Sequence, residues 1–133
     1  MASRILTLNP PAGGLSAIVN VLGKVGPGEA NAAEDVRVVQ RLIQIAGKTK
    51  QVATGIGLPA ATGHFDAATG FWIYQVQAFQ ISKHPRQIID GVISPAHGAT
   101  YAAHTFWAIV LLNSFAKENN PTEFNAFLNS GGV

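Results

Sequence analysis

The sequence predicts an all-α fold: a compact bundle of three main helices over residues 26–133, with an N-terminal arm over residues 1–25 and a short C-terminal helix. Three observations carry this. Val36, Val39, Leu42, Ile43 and Ala46 recur at helical spacing behind Asn31 and Glu34, which stand as a capping box. Asp66 is placed to cap a second helix from Ala67, because its oxygen can accept from the open N–H groups of a first turn, where Thr69 adds a hydroxyl. An apolar run ending at Lys117 gives the third helix, and Asn120-Pro-Thr-Glu123 supplies the cap, first-position proline and first-turn acid of the short last one.

Taken in order, the arm is rich in Gly and Pro and holds two short apolar runs, Arg4–Leu8 and Leu15–Leu22. The second fits a strand or one or two helical turns, and periodicity does not choose between them. The arm either packs over its own core or docks on a neighbouring subunit. Gly26-Pro-Gly-Glu-Ala-Asn31 is a turn-rich approach to the first helix, and Gly47 stands where a left-handed C-terminal residue is wanted. Residues 48–62 lack a helical period and read as a loop. On the second helix, Phe71, Trp72, Ile73, Tyr74, Val76 and Phe79 supply more apolar surface than one stripe needs, so it is expected to meet partners on two sides. A second loop follows over Ser82–Gln87, where Pro85 pushes His84 out of the helical region. The third helix is expected from Ala96 or Gly98, and residues 129–133 are expected to fray.

Two stretches resemble each other. Gly63-His-Phe65-Asp-Ala-Ala-Thr-Gly70 and Gly91-Val-Ile93-Ser-Pro-Ala-His-Gly98 share a glycine, an apolar residue two later, a short polar residue, then alanine and glycine at matching positions. Each glycine lets the chain turn, each apolar residue plugs the core, and each polar residue helps start a helix.

Composition narrows the class of function. Charged residues make up 12% of the chain, against about 25% in an average soluble domain. Either the surface is mostly Asn, Gln, Ser and Thr, or part of it is covered by other molecules. The net charge of +2 is scattered, with no basic stripe for nucleic acid. There is no cysteine, which excludes disulfides and thiolate metal sites. The N-terminus does not read as a signal peptide, and the longest apolar stretch, Thr105–Leu112, is too short to span a bilayer. These features point to a soluble protein made in the cytoplasm, which would reach the periplasm or exterior only by a non-classical route.

Asp35-Val36-x-x-Val39-Gln40-x-Leu42-Ile43, then Gly63-x-Phe65-Asp66-x-x-Thr69 with a Gln-containing aromatic helix, then Asp90-Gly91-x-Ile93-x-Pro95, together resemble the small helical peptidoglycan-binding domain. The resemblance covers roughly residues 26–112. It implies a three-helix bundle that binds bacterial cell-wall glycan or stem peptide. This chain has Thr62-Gly63 where that family has Asp-Gly, and Asp66 in place of its second glycine. The family's Phe-Gln pair is matched either by Val76-Gln77 or by Phe79-Gln80.

The residues offer little for catalysis. His64, His84, His97 and His104 form no His-x-x-His or His-x-x-x-His pair, so neither metal nor cofactor is expected. Glu29, Glu34, Asp35, Asp66, Asp90 and Glu123 have structural tasks at a helix start or turn, which leaves no pair for glycoside hydrolysis; no catalytic residue is expected and the chain reads as a non-enzyme. A groove for saccharide or peptide is expected between the 55–66 loop, the second helix and the Asp90–His97 turn, with Phe65, Trp72, Gln75, Gln77 and Tyr101 as ligand-binding candidates; Tyr74 and Asn113 are also suitable types. The alternative is a structural one. The arm, Phe106–Leu112 and Phe124, Phe127 and Leu128 offer apolar surface for a homo-oligomer, or for an adaptor of a secretion or phage-like particle.

Overall fold

The computed structural model describes residues 4–12, 14–47, 57–80, 89–102 and 105–133. Among them lie four helices and two antiparallel two-stranded sheets: β1 (Ile5–Ala12), β2 (Leu15–Val19), α1 (Ala33–Gly47), α2 (Ala67–Gln80), β3 (Thr100–Ala102), β4 (Thr105–Phe106), α3 (Ala108–Asn119) and α4 (Pro121–Asn129). The fold is therefore α+β, and the all-α expectation is corrected. Both apolar runs of the N-terminal segment are extended. Ile5, Leu6 and Thr7 pair with Val19, Ile18 and Ala17, and the register then shifts before Ala12 meets Leu15. Pro10 and Pro11 lie in the shifted part of β1, where no ladder N–H is required of them.

This hairpin belongs to the core. Leu8, Leu15, Ile18 and Val19 are almost wholly buried in the same cluster as α1 and α3. At roughly 1.5–3 kcal/mol for each such side chain, their burial is comparable with the entire stability of an ordinary domain. Val25 then bridges to Ile93 through reciprocal backbone hydrogen bonds of 2.9 and 2.8 Å. On α1, Val36, Val39, Leu42, Ile43 and Ala46 are buried, and Val38 and Ile45 join them because α1 packs against both α3 and α4. The ends of these helices are tied together: the side-chain amides of Asn119 and Asn120 donate to the carbonyls of Ala46 and Ile45, satisfying acceptors at the C-terminus of α1.

Several local expectations are also corrected. Asn31 does not cap α1. With φ at 49°, it turns its amide onto Gly26, accepting from the Gly26 N–H and donating to the Gly26 carbonyl, both at 2.9 Å, and so closes the loop instead. Gly47 ends α1 without a left-handed φ, and an added Cβ there would lie 2.6 Å from Leu58. The third helix starts only at Ala108, with Trp107 extended before it, because β3 and β4 occupy the preceding stretch. The C-terminus does not fray: Gly131 is left-handed, and the Gly131 and Gly132 N–H groups donate to Leu128 and Phe127, a Schellman closure of α4. Of the loop expected over residues 48–62, residues 57–62 lie in no helix or strand, while residues 48–56, like the loop expected over 82–87, lie outside the described residues.

Candidate functional site

Two buried glutamines organise the site. Gln40 on α1 is fully buried; its Oε1 accepts from the Gly63 N–H at 2.9 Å, and its Nε2 donates to the His64 carbonyl and to Thr69 Oγ1, each at 3.0 Å. Gln77 on α2 repeats the arrangement one turn-unit later. Its Oε1 accepts from the Gly91 N–H at 2.8 Å, and its Nε2 donates to the Val92 carbonyl at 3.0 Å and to Asp90 Oδ1 at 3.1 Å. Gly63 and Gly91 both take positive φ, 78° and 73°. A carboxamide carries one acceptor and two donors, so a single glutamine can satisfy both the N–H and the C=O of a turn that no strand pairs with. The likeness between Gly63–Gly70 and Gly91–Gly98 thus has a shared physical basis. Of the two glutamine registers open in the sequence, Gln77 reaches the second turn.

An open groove of about 680 Å³ separates these two turns. One wall is Phe65, Asp66 and the α2 face of Ala67, Gly70, Phe71 and Tyr74; the other is Ile89, Asp90 and Gly91, with Pro27 beside it. The α2 residues follow helical i, i+3, i+4, i+7 spacing, while Trp72, Ile73 and Val76 on another side of the same helix are buried in the core. Gly70 lets the Phe65 ring lie close: a Cβ there would stand 3.2 Å from Phe65 Cζ. The start of α2 is fixed by Asp66, whose Oδ1 accepts from the Thr69 N–H at 2.8 Å and from Thr69 Oγ1.

Of the residues singled out in the sequence, Phe65 and Tyr74 line the groove. Trp72 is buried and donates its indole N–H to the Gly57 carbonyl at 3.0 Å. Together with Gln75 it borders a separate apolar pocket of about 100 Å³ that also touches Val76, Phe79 and Phe115. Gln77 is spent on the second turn. Asn113 is buried on α3, where its side chain exchanges hydrogen bonds with both backbone groups of Val19. Tyr101 belongs to β3, its side chain lying outside the described residues, as do His84 and His104. The groove residues that sequence reasoning passed over as site residues are Phe71, Asp66 and Asp90. For Phe71 the signal is the second apolar stripe on α2, which is indistinguishable by composition from the stripe that faces the core; Asp66 and Asp90 read as a cap and a turn residue.

Hydrogen bonds from the Thr69 hydroxyl and backbone N–H hold the Asp66 carboxyl below its usual pKa, with a smaller contribution from the charge of His64. Asp66 is therefore an ionised acceptor at neutral pH and a poor proton donor. Elsewhere, Asp35 is buried beneath the hairpin, accepting from the Leu22 and Gly23 N–H groups and from Arg4. Among the described residues no group of three His, Asp or Glu side chains comes together in a way that could hold a metal ion, and no described helix is long and apolar enough to cross a membrane. In chemical terms the groove offers aromatic surface, two carboxylates and the rim of two rigid turns. No protein-family model, curated protein or solved structure matches the chain.

Proposed function

We propose that the chain is a non-catalytic binding module, a divergent relative of the small peptidoglycan-binding domain, and that its groove takes a stretch of bacterial cell-wall polymer, glycan or stem peptide. The observation that carries the reading is the groove itself. Its walls are turns fixed by buried amides, so it is formed before a ligand arrives, and its aromatic floor with a few placed polar groups is the surface that saccharides and peptides use. The motif residues behind the resemblance also act on one another: Gln40 holds Gly63 and Thr69, and Gln77 holds the Asp90-Gly91 turn.

Co-sedimentation with purified sacculi tests this. Tyr74 is 52% exposed on the groove wall, so Tyr74→Ala removes ligand surface while leaving the core untouched. Wild type is expected to pellet with sacculi, and the variant to bind about tenfold more weakly, a loss of about 1.4 kcal/mol. The reading fails if wild type stays in the supernatant, or if Tyr74→Ala pellets as wild type does. Light scattering on the same samples separates the assembly alternative, which requires a large species with no affinity for the wall.

A further inference from the structure

We infer that the group recognised in this groove is a cationic amine, the free side-chain ammonium of a diamino acid in a stem peptide, and that the neutral sugar chain is not the main determinant. The inference rests on the cell-wall reading above and narrows it.

Among the described residues the lining of the groove is one-sided in charge. Asp66 and Asp90 stand on opposite walls, and the described lining contains no Lys, Arg or His. Both carboxylates divide their work in the same way. Asp66 accepts both Thr69 hydrogen bonds on Oδ1, and Asp90 accepts from Gln77 and Val92 on Oδ1. The second oxygen of each takes no hydrogen bond from another described residue, and neither carboxylate is ion-paired among those residues. One oxygen thus shapes the turn while the other remains open to a ligand.

The surface between them suits the same guest. Phe65, Phe71 and Tyr74 present ring surface, whose negative face attracts an ammonium held within about 6 Å. An ammonium carries three donors and no acceptor, so it can meet a carboxylate on either wall while its alkyl stem lies along the aromatic rings. A ligand carboxylate would face two like charges with no compensating cation in the described lining. The N-terminus of α2 opens on the groove and by itself favours an anion, but Asp66 already supplies that negative charge from within the chain. N-acetylated sugars carry no ammonium, whereas the diamino acid of a stem peptide does.

The test uses the full chain and two preparations of sacculi, native and with their free amines acetylated. Wild type is expected to bind acetylated sacculi at least about tenfold more weakly than native ones. Asp66→Asn/Asp90→Asn keeps an acceptor oxygen at each turn and a good helix cap while removing both charges. It is expected to bind native sacculi as weakly as wild type binds the acetylated ones, and to be indifferent to acetylation. Circular dichroism melting verifies that the variant is folded, and the wild-type arm does not depend on it. Equal binding of wild type to both preparations overturns the ammonium assignment and leaves the cell-wall reading standing. Binding to neither preparation overturns both.

Discussion

The turns at Gly63 and Gly91 are held alike, yet the chain leaves them in different directions. After the first, Asp66 accepts from the Thr69 N–H and α2 begins at once. After the second, the position matching Asp66 is Ser94 and the position matching Thr69 is His97; the chain passes through β3 and β4 before α3 starts at Ala108. The diverting contact comes from far away: Asn20 accepts from the Ala96 N–H at 3.0 Å and donates to the Ala96 carbonyl at 2.9 Å. Ala96 spends both backbone groups on the N-terminal segment, so neither is left for a helix ladder. A buried carboxamide fixes each turn; a local cap decides the exit of the first, and a residue 76 positions distant decides the exit of the second.

The most severe way to break this comparison is to remove the glutamines. Gln40→Ala strands the Gly63 N–H and the His64 carbonyl, and takes from the Thr69 hydroxyl the bond it accepts, around a buried void. Leaving buried polar groups without partners costs about 1–3 kcal/mol each, so a loss of about 3–4 kcal/mol is expected after relaxation. Gln77→Ala removes the same kind of contact from a turn whose Asp90 and Val92 contact is exposed, where water can substitute. About 2 kcal/mol is expected there. Urea denaturation of both variants measures the ordering, and a Gln77→Ala loss equal to or larger than that of Gln40→Ala contradicts it.

These amides also mark the limit of what the sequence discloses. The apolar spacing of α1, the Asp66 cap and the Pro121 start of α4 are local signals, and the structure contains each of them. The hairpin was undecidable from its own residues, because a five-residue apolar run such as Leu15–Val19 suits a strand or a helical turn equally well. Asn31 looked like a cap because capping and loop closure call for the same short amide. Trp72 and Gln77 have the chemistry of ligand-binding residues, but α2 turns both inward. Tyr74 and Phe71 face the groove. Which apolar face of α2 is core depends on where α1 and α3 pack, and no spacing within residues 67–80 encodes that.

A smaller difference is expected at the glycines themselves. Both have positive φ, so an alanine at either is strained by roughly 1–2 kcal/mol. At Gly63 the added Cβ would also come within 2.9 Å of the Ala33 carbonyl oxygen, a backbone atom at the start of α1 that cannot swing aside. At Gly91 the nearest atom is Pro27 Cδ at 4.0 Å, an ordinary contact. Gly63→Ala is therefore expected to cost about 3 kcal/mol and Gly91→Ala about 1 kcal/mol. Equal losses in thermal unfolding would mean that the close approach to α1 relaxes freely, and that the two turns are energetically as alike as their hydrogen bonds.

The smallest effect concerns the cap that the first unit has and the second lacks. Thr69 holds the Asp66 carboxyl below its ordinary value of 3.8, chiefly through its hydroxyl and then its backbone N–H. A carboxyl whose pKa is lower in the folded chain contributes stability that is fully present above the unfolded value and is lost as pH falls through the folded one. Because Asp66 is only partly buried, solvent screening keeps this contribution small. Asp66→Asn preserves the cap without the charge, and so should lack this pH dependence. Unfolding free energies of wild type and variant, measured from pH 7 down to pH 2.5, are expected to draw together below about pH 4. A gap that stays constant across that range would show that the hydrogen bonds from Thr69 do not depend on the charge of Asp66, and that the exit of the first turn is set by cap geometry alone.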